Sequence, residues 1–348
     1  MKRPRDLFTA TRQAALLSCP RRHYWRYEVG LEREAHSSAL RFGSAWHASM
    51  ETRWKGGSYE EALAAGIQTA PDASEDVVAT LSGLLCGYYE RYEADPIREI
   101  YPEVEFRHPL EGSRTFDVAG KIDGIGLMHD GRLALVEHKT TSSSIGPDSD
   151  YWMRLRFNPQ VLQYVHAARL LGWDIETVIY DVTRKPAISP LAAVPVLDEA
   201  GRKIVLDTDG QRVFKKDGEP RESGDPAKGY SIQTRSESFE EFATRLADDC
   251  RNRPEFYFAR REVPILDQDM EEFVIQRREL ARLVLNFRAA ARRARRPGHA
   301  WPRNLSELQC RMCEFSSFCL QNIFPEANTP PAGFRIGGPA PELQSVVE

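Results

Sequence analysis

The chain reads as an α/β protein built on a mixed sheet flanked by helices. Three observations carry that expectation. Apolar runs of strand length follow one another at residues 104–108, 115–123 and 133–138, separated by the turn signals Gly112-Ser113 and His129-Asp130-Gly131. A helix-like segment, residues 159–171, then opens on Pro159 and closes before Gly172. Residues 174–182 return to strand character, and strand, helix and strand in that order predict a right-handed crossover.

Taken in chain order, residues 42–54 (FGSAWHASMETRW) read as a helix with one apolar side, and residues 76–94 as a longer second one. The three strands and the crossover follow. Residues 186–236 are rich in Gly, Asp, Lys and Pro with short alternating pieces, which predicts an inserted hairpin or extended loop. Residues 237–252 and 269–296 read as helices. From residue 325 large apolar residues are too sparse to pack, which predicts a flexible tail over 325–348. No internal repeat is evident.

With 348 residues, 41% hydrophobic and 28% charged, the length suits one large domain or two modest ones. The apolar stretch near the N-terminus, Ala14 to Leu17, is too short for a signal peptide. No run approaches the ~20 apolar residues of a membrane span, so a cytoplasmic protein is expected. A net charge of −4 argues against a general nucleic-acid coat. The charge is uneven, however. Residues 1–26 hold seven Lys/Arg against one Asp, and residues 288–296 hold five Arg and no acid. Such patches either contact phosphate locally or form a solvated helix face.

One strand ends in Lys121-Ile122-Asp123-Gly124 and the next in Glu137-His138-Lys139. Side chains alternate along a strand, so Glu137 and Lys139 share a face and His138 takes the other. If the two strands pair through the turn near residue 130, Asp123 lies beside Glu137. Adjacent carboxylates repel unless a cation joins them, and oxygen ligands of this kind suit Mg²⁺ or Mn²⁺. Glu-x-Lys on a strand, taken alone, is most often an exposed ion pair.

Here the pair has company. Asp123 with Glu137-x-Lys139 resembles the PD-(D/E)XK nuclease superfamily, whose fold is a restriction-endonuclease-like mixed sheet. Gln160-Val-Leu-Gln-Tyr164 resembles the Q-x-x-x-Y motif of its RecB-like members, and Phe42-Gly43-Ser44-Ala45-Trp46-His47 resembles their F-G-x-x-x-H helix. Ile122 stands where the superfamily's name has proline. The resemblance implies that Asp123, Glu137 and His47 hold the metal, that Lys139 is catalytic, and that Gln160 and Tyr164 face the nucleic acid and the active site.

Six cysteines are present, and Cys310, Cys313 and Cys319 form C-x2-C-x5-C in a short polar stretch. Three thiolates leave a tetrahedral site one ligand short, and Cys19 is the best fourth, since Cys86 and Cys250 sit in helix-like segments. One N-terminal cysteine with this C-terminal cluster resembles the iron–sulfur nucleases of the superfamily, including those that accompany CRISPR adaptation. Leu17-Ser-Cys-Pro-Arg-Arg-His-Tyr24 resembles their N-terminal signature. The resemblance implies a [4Fe–4S] cluster; spacing alone leaves Zn²⁺ open. Either metal would tie the chain ends together, so Arg21, Arg22 and part of the 288–296 run are expected to border the path of a phosphate backbone.

These readings divide the chain into an iron–sulfur cap (1–40 and 297–324), a nuclease core (41–185), the insertion (186–236), a helical region (237–296) and the tail. The function they predict is a Mg²⁺- or Mn²⁺-dependent DNA exonuclease acting on single strands or strand ends. The alternative is a non-catalytic DNA-end binder. A phosphate-binding G-x-x-x-x-G-K-[ST] loop is absent, so a helicase would have to be a separate partner. Recombination, replication, phage DNA processing and CRISPR adaptation all suit such an enzyme.

Overall fold

The computed structural model describes residues 5–34, 38–323 and 329–338. The first described elements are β1 (Asp6–Leu7), α1 (Ala10–Ser18), the short α2 (Pro20–His23) and β2 (Leu31–Arg33). Helices α3 (Ser38–Trp54), α4 (Tyr59–Thr69) and α5 (Glu75–Arg91) follow. Strands β3 (Ile97–Pro109), β4 (Phe116–Met128) and β5 (Leu133–Thr141) form a meander. After α6 (Asp150–Met153), α7 (Pro159–Leu170) leads into β6 (Ile175–Arg184). The insertion carries β7 (Val194–Pro195), β8 (Val205–Leu206), β9 (Ser231–Ile232) and β10 (Thr234–Arg235). Helices α8 (Phe239–Asn252) and α9 (Pro254–Tyr257), β11 (Phe258–Pro264) and the long α10 (Asp267–Ala291) complete the body. Two short helices, α11 (Glu307–Met312) and α12 (Ser316–Cys319), precede β12 (Phe334–Ile336).

The main sheet has the order β1-β4-β5-β6-β11, with β3 on the other flank of β4. It is mixed: β5 and β6 run parallel through the α7 crossover, while β3, β4 and β5 are antiparallel. Strand β4 pairs with β5 only over Gly124–Leu127 and with β1 over Phe116–Asp117, so the two strands part company beyond Gly124 and leave a fork. One face of the sheet packs on α7 and α10 through Val118, Ile122, Leu135, Val161, Phe273 and Val284. The other face packs Ala134, Val136 and Ile179 against Trp54 of α3. Behind it α3, α5 and α8 share a second core around Trp46, Leu84 and Phe242.

Two expectations need correction. The tail is not structureless throughout. Phe334, Arg335 and Ile336 pair antiparallel with Arg33, Glu32 and Leu31, and Phe334 closes a small core with Trp25, Phe315 and Phe318. A single aromatic residue suffices there because three others already wall the site. The rest of the predicted tail, 325–328 and 339–348, lies outside the described residues.

The insertion does contain a repeat. Val196-Leu197-Asp198-x-x-Gly201, Val205-Leu206-Asp207-x-x-Gly210 and Val213-Phe214-Lys215-x-x-Gly218 each fold into a hairpin tip with its glycine at φ of 76°, 77° and 86°. The tips stack. Ile204 N donates to Val196 O (3.0 Å), Val213 N to Val205 O (2.9 Å) and Arg221 N to Val213 O (3.0 Å). Ion pairs from Arg202 and Arg212 to Asp198, and from Arg202 to Glu219, lace the tips together.

Candidate active site

The fork between β4 and β5 collects most of the residues singled out above. The last β4–β5 ladder pair is Gly124 with Val136, which puts Asp123 and Glu137 at the next step, where the strands separate. Glu137 is fully buried. Its Oε1 is ion-paired with Lys139 Nζ, and Lys139 also donates to Gln160 Oε1 at 2.9 Å. Gln160 Nε2 in turn donates to the Tyr164 hydroxyl at 3.0 Å, one turn along α7. The Asn158 side chain caps that helix by accepting from Gln160 N at 3.0 Å, and Pro159 occupies its first turn.

Asp123 is held from the opposite quarter. Its Oδ2 accepts from the His138 backbone N–H at 2.9 Å and lies 3.4 Å from His47 Nδ1 on α3. The His138 ring turns away from Glu137 and packs against Trp54, with centroids 4.2 Å apart. Its Nδ1 lies 3.4 Å from Asp181 Oδ2. Asp181, also buried, is shared with the Tyr88 hydroxyl and with Arg260 Nε at 3.2 Å. This back wall has no counterpart in the sequence reading. Asp181 sits in an apolar strand with nothing in the sequence to mark its partners, which come from α5, β5 and β11.

The electrostatics follow from burial and from these contacts. Burial pushes the Glu137 carboxyl up to about 7; Lys139 opposes the shift and Asp123 adds to it. Burial acts in the same direction on Asp123, but the charge and hydrogen bond of His47, with His138 and Lys139, outweigh it and hold Asp123 well below the usual carboxylate range. For His47, burial favours the neutral ring and is outweighed by Asp123 and Glu137, so its net shift is upward. Lys139 is likewise raised, its burial overcome by Glu137.

Among the described residues no group of three or more His, Cys, Asp or Glu side chains is arranged so that it could hold a metal ion. Each carboxylate instead has a cationic neighbour from the chain. One oxygen, Glu137 Oε2, is buried with no hydrogen-bond partner. In donor type, though not in their present placement, that oxygen, the Asp123 carboxylate and the His47 imidazole suit a hard divalent cation. A cleft of about 710 Å³ opens on the His47 and Asp123 side of the fork, lined also by Gly43, Glu51, Glu103, Lys121 and Thr140.

The cysteines lie elsewhere. Cys19, Cys310, Cys313 and Cys319 line one concavity of about 400 Å³ with Arg22, Leu305, Leu308 and Met312. The N-terminal helices and the segment after residue 300 meet there: Asn304 N donates to Cys19 Sγ (3.4 Å) and Asn304 Nδ2 to Ser18 O (2.9 Å). Burial raises the Cys313 thiol.

The basic segments divide. Arg21 does not face a nucleic-acid path: it is 3% exposed and its Nε donates to Trp301 O at 2.8 Å. Its place in the short α2 turns it inward, which the run Arg21-Arg22-His23 could not show. Arg288 is taken up by Glu28 (2.7 Å) and Asp6 (2.6 Å). Arg22 stays partly exposed, 3.7 Å from Glu314, and Arg292, Arg293, Arg295 and Arg296 are exposed. No described helix is long and apolar enough to cross a membrane.

Comparison with known proteins adds one decisive finding. The family model described as the PD-(D/E)XK nuclease superfamily matches residues 7–320. No curated protein matches the chain. Among solved structures, one titled "Crystal structure of SSO0001" aligns over 93% of this chain and 90% of its own, at 13% identity and a TM-score of 0.34, too low to argue from.

Proposed function

Because the chain belongs to the PD-(D/E)XK nuclease superfamily, which implies a metal-dependent nuclease, we propose that it is a DNA exonuclease preferring single strands or strand ends. The observation that carries this reading is the convergence of Asp123, Glu137 and Lys139 in the fork between β4 and β5. His47, Asp123 and Glu137 would hold Mg²⁺ or Mn²⁺, which when bound supplies a water of lowered pKa and a Lewis acid at phosphorus. Lys139 keeps its charge despite burial, because Glu137 raises its pKa, and it steadies the charge that develops on the phosphate. Gln160 holds Lys139 from the α7 side and is itself held by Tyr164, so the helix aligns the ammonium and presents both polar groups to the substrate. The buried floor of the fork excludes bulk water from one side of the reacting centre.

Incubation of end-labelled single-stranded DNA with Mn²⁺, wild type against Lys139→Ala, tests the proposal. Linear and circular substrates side by side test the need for ends, and RNA tests the sugar preference. Binding without cleavage by wild type would replace the enzyme with a DNA-end binder. These 348 residues hold no phosphate-binding loop of a motor, and a helicase or a CRISPR-adaptation protein is proposed as a partner.

The second part of the proposal concerns the concavity. We propose that Cys19, Cys310, Cys313 and Cys319 hold a [4Fe–4S] cluster, with Zn²⁺ as the alternative. Four thiols on one concavity support it. The visible absorption of anaerobically purified protein, with iron, sulfide and zinc counts, decides between the two.

A further inference from the structure

Glu103 lies in the middle of β3 with φ at 58°, in the left-handed region. Among the described residues Asn322 is the only other non-glycine with positive φ, and asparagine tolerates that conformation where glutamate does not. Glu103 stands opposite Asp123. The β3–β4 ladder pairs Pro102 with Gly124 and Val104 with Ile122, and omits the 103/123 step between them.

Both strands change faces at that step. On β4, Val118 and Ile122 enter the core under α7, and a Cβ on Gly120 would strike Tyr164 at 3.1 Å. Strict alternation would keep Gly124 and Gly126 on that side. Instead, Cβ atoms there would strike Trp54 at 2.4 Å and Ile97 at 2.8 Å, on the α3 side. On β3, Val104 and Phe106 pack with the α7 core, whereas Ile100, of the same parity, packs with Trp54; Ile97 lies beyond a separate register shift between Ile97 and Glu99. A one-residue slip inverts every later side chain. Here both strands slip at one level, so the register on either side survives and one residue of β4, Asp123, is freed from the β3 ladder. Its carboxylate then takes the His138 N–H that follows the last β4–β5 pair.

We infer that Glu103 is a positioning residue: its left-handed backbone opens the ladder opposite Asp123 and so aims that carboxylate into the fork. The inference rests on the reading of Asp123 as a metal-holding carboxylate. The Glu103 side chain, ion-paired with Lys121 on the wall of the same cleft, is secondary to the backbone angle.

The test is a substitution series read by Mn²⁺ calorimetry and by metal-titrated cleavage of single-stranded DNA, with Tm alongside. Glu103→Gly and Glu103→Asn, which accept positive φ, are expected to rank together well above Glu103→Val. The Val variant should bind Mn²⁺ about tenfold more weakly and turn over about 100-fold more slowly, the scale on which ~1 Å of misplacement acts. Should Val fail to fold, Glu103→Ala takes its place and falls between. Lys121→Gln, which removes the ion pair and leaves φ alone, separates the side chain from the backbone. The inference is overturned if Gly and Asn are as impaired as Val while Glu103→Gln is not, or if Val matches wild type. A wild type that neither binds Mn²⁺ nor cuts removes the nuclease reading and this inference together; one that does both while the series ranks by charge removes the inference alone.

Discussion

The fork at Asp123 and the concavity at Cys19 are both ringed by potential ligands, and the chain treats them in opposite ways. In the fork the charged groups are paired by neighbours drawn from three elements: Lys139 on Glu137, Gln160 on Lys139, and His47 with the His138 N–H on Asp123. In the concavity the thiols are bordered by apolar side chains left in water, Leu305 at 71% exposed and Met312 at 78%. The difference is chemical. A buried carboxylate is costly unless something opposes its charge, so its surroundings must be built around it. A neutral thiol makes no such demand. Carboxylate sites therefore show themselves in packing, whereas thiol sites show themselves first in spacing.

The comparison can be broken or sharpened by experiment. The largest effect is expected from Glu137→Gln, which should cut Mn²⁺-dependent cleavage by about 10³-fold or more while shifting Tm little, since it removes a strained buried charge. Loss of visible absorption in that variant would show that the two regions are not independent. Cys313→Ser should do the reverse. It should abolish the metal proposed for the concavity and lower stability by several kcal/mol in thermal unfolding, yet leave Mn²⁺ calorimetry at the fork close to wild type.

Smaller effects come from the seam between the chain ends. Arg21→Ala should cost about 2–3 kcal/mol in urea unfolding and leave the salt dependence of DNA binding unchanged. His23 is wholly buried, stacked on Trp301, and accepts from Arg12 Nε at 3.1 Å. Burial pushes it down to about 2, with Arg12 and Arg288 adding to the shift. The folded ring therefore stays neutral, while the unfolded chain takes a proton below about pH 6.5. Stability is unaffected above that value and falls beneath it, by about 2 kcal/mol at pH 5 for this group. Urea midpoints at pH 7 and 5 should differ more in wild type than in His23→Phe. The smallest expected change is Arg22→Ala, which should lower the salt slope of DNA binding by about one and leave stability within about 0.5 kcal/mol.

The strands, the crossover helix and the α/β class were legible because apolar periodicity reports directly on which face is buried. The motif residues were legible for the same reason: Asp123 and Glu137-x-Lys139 interrupt apolar strands where charge has no packing role. What was not legible is what other elements contribute. Asp181 looks like one more residue of a strand until Tyr88, Arg260 and His138 are seen around it. The left-handed Glu103 gives no warning, since glutamate carries no preference for that region and the conformation is imposed by pairing on both sides. Arg21 and Arg22 are adjacent and identical in type, yet a helical turn sends one inward. The three stacked tips of the insertion are a different case. Val-[Leu/Phe]-x-x-x-Gly recurs within 26 residues (196–221), and the signal is hidden only by its short period.

The seam also bears on how the chain is made. Arg21 finds its carbonyl partner 280 residues later, on Trp301, the same indole against which His23 stacks. During synthesis Arg21 and His23 therefore wait for residue 301 before their partner exists. Closing a loop of that length costs only slightly more than closing one half as long, so the delay is a matter of time rather than of equilibrium.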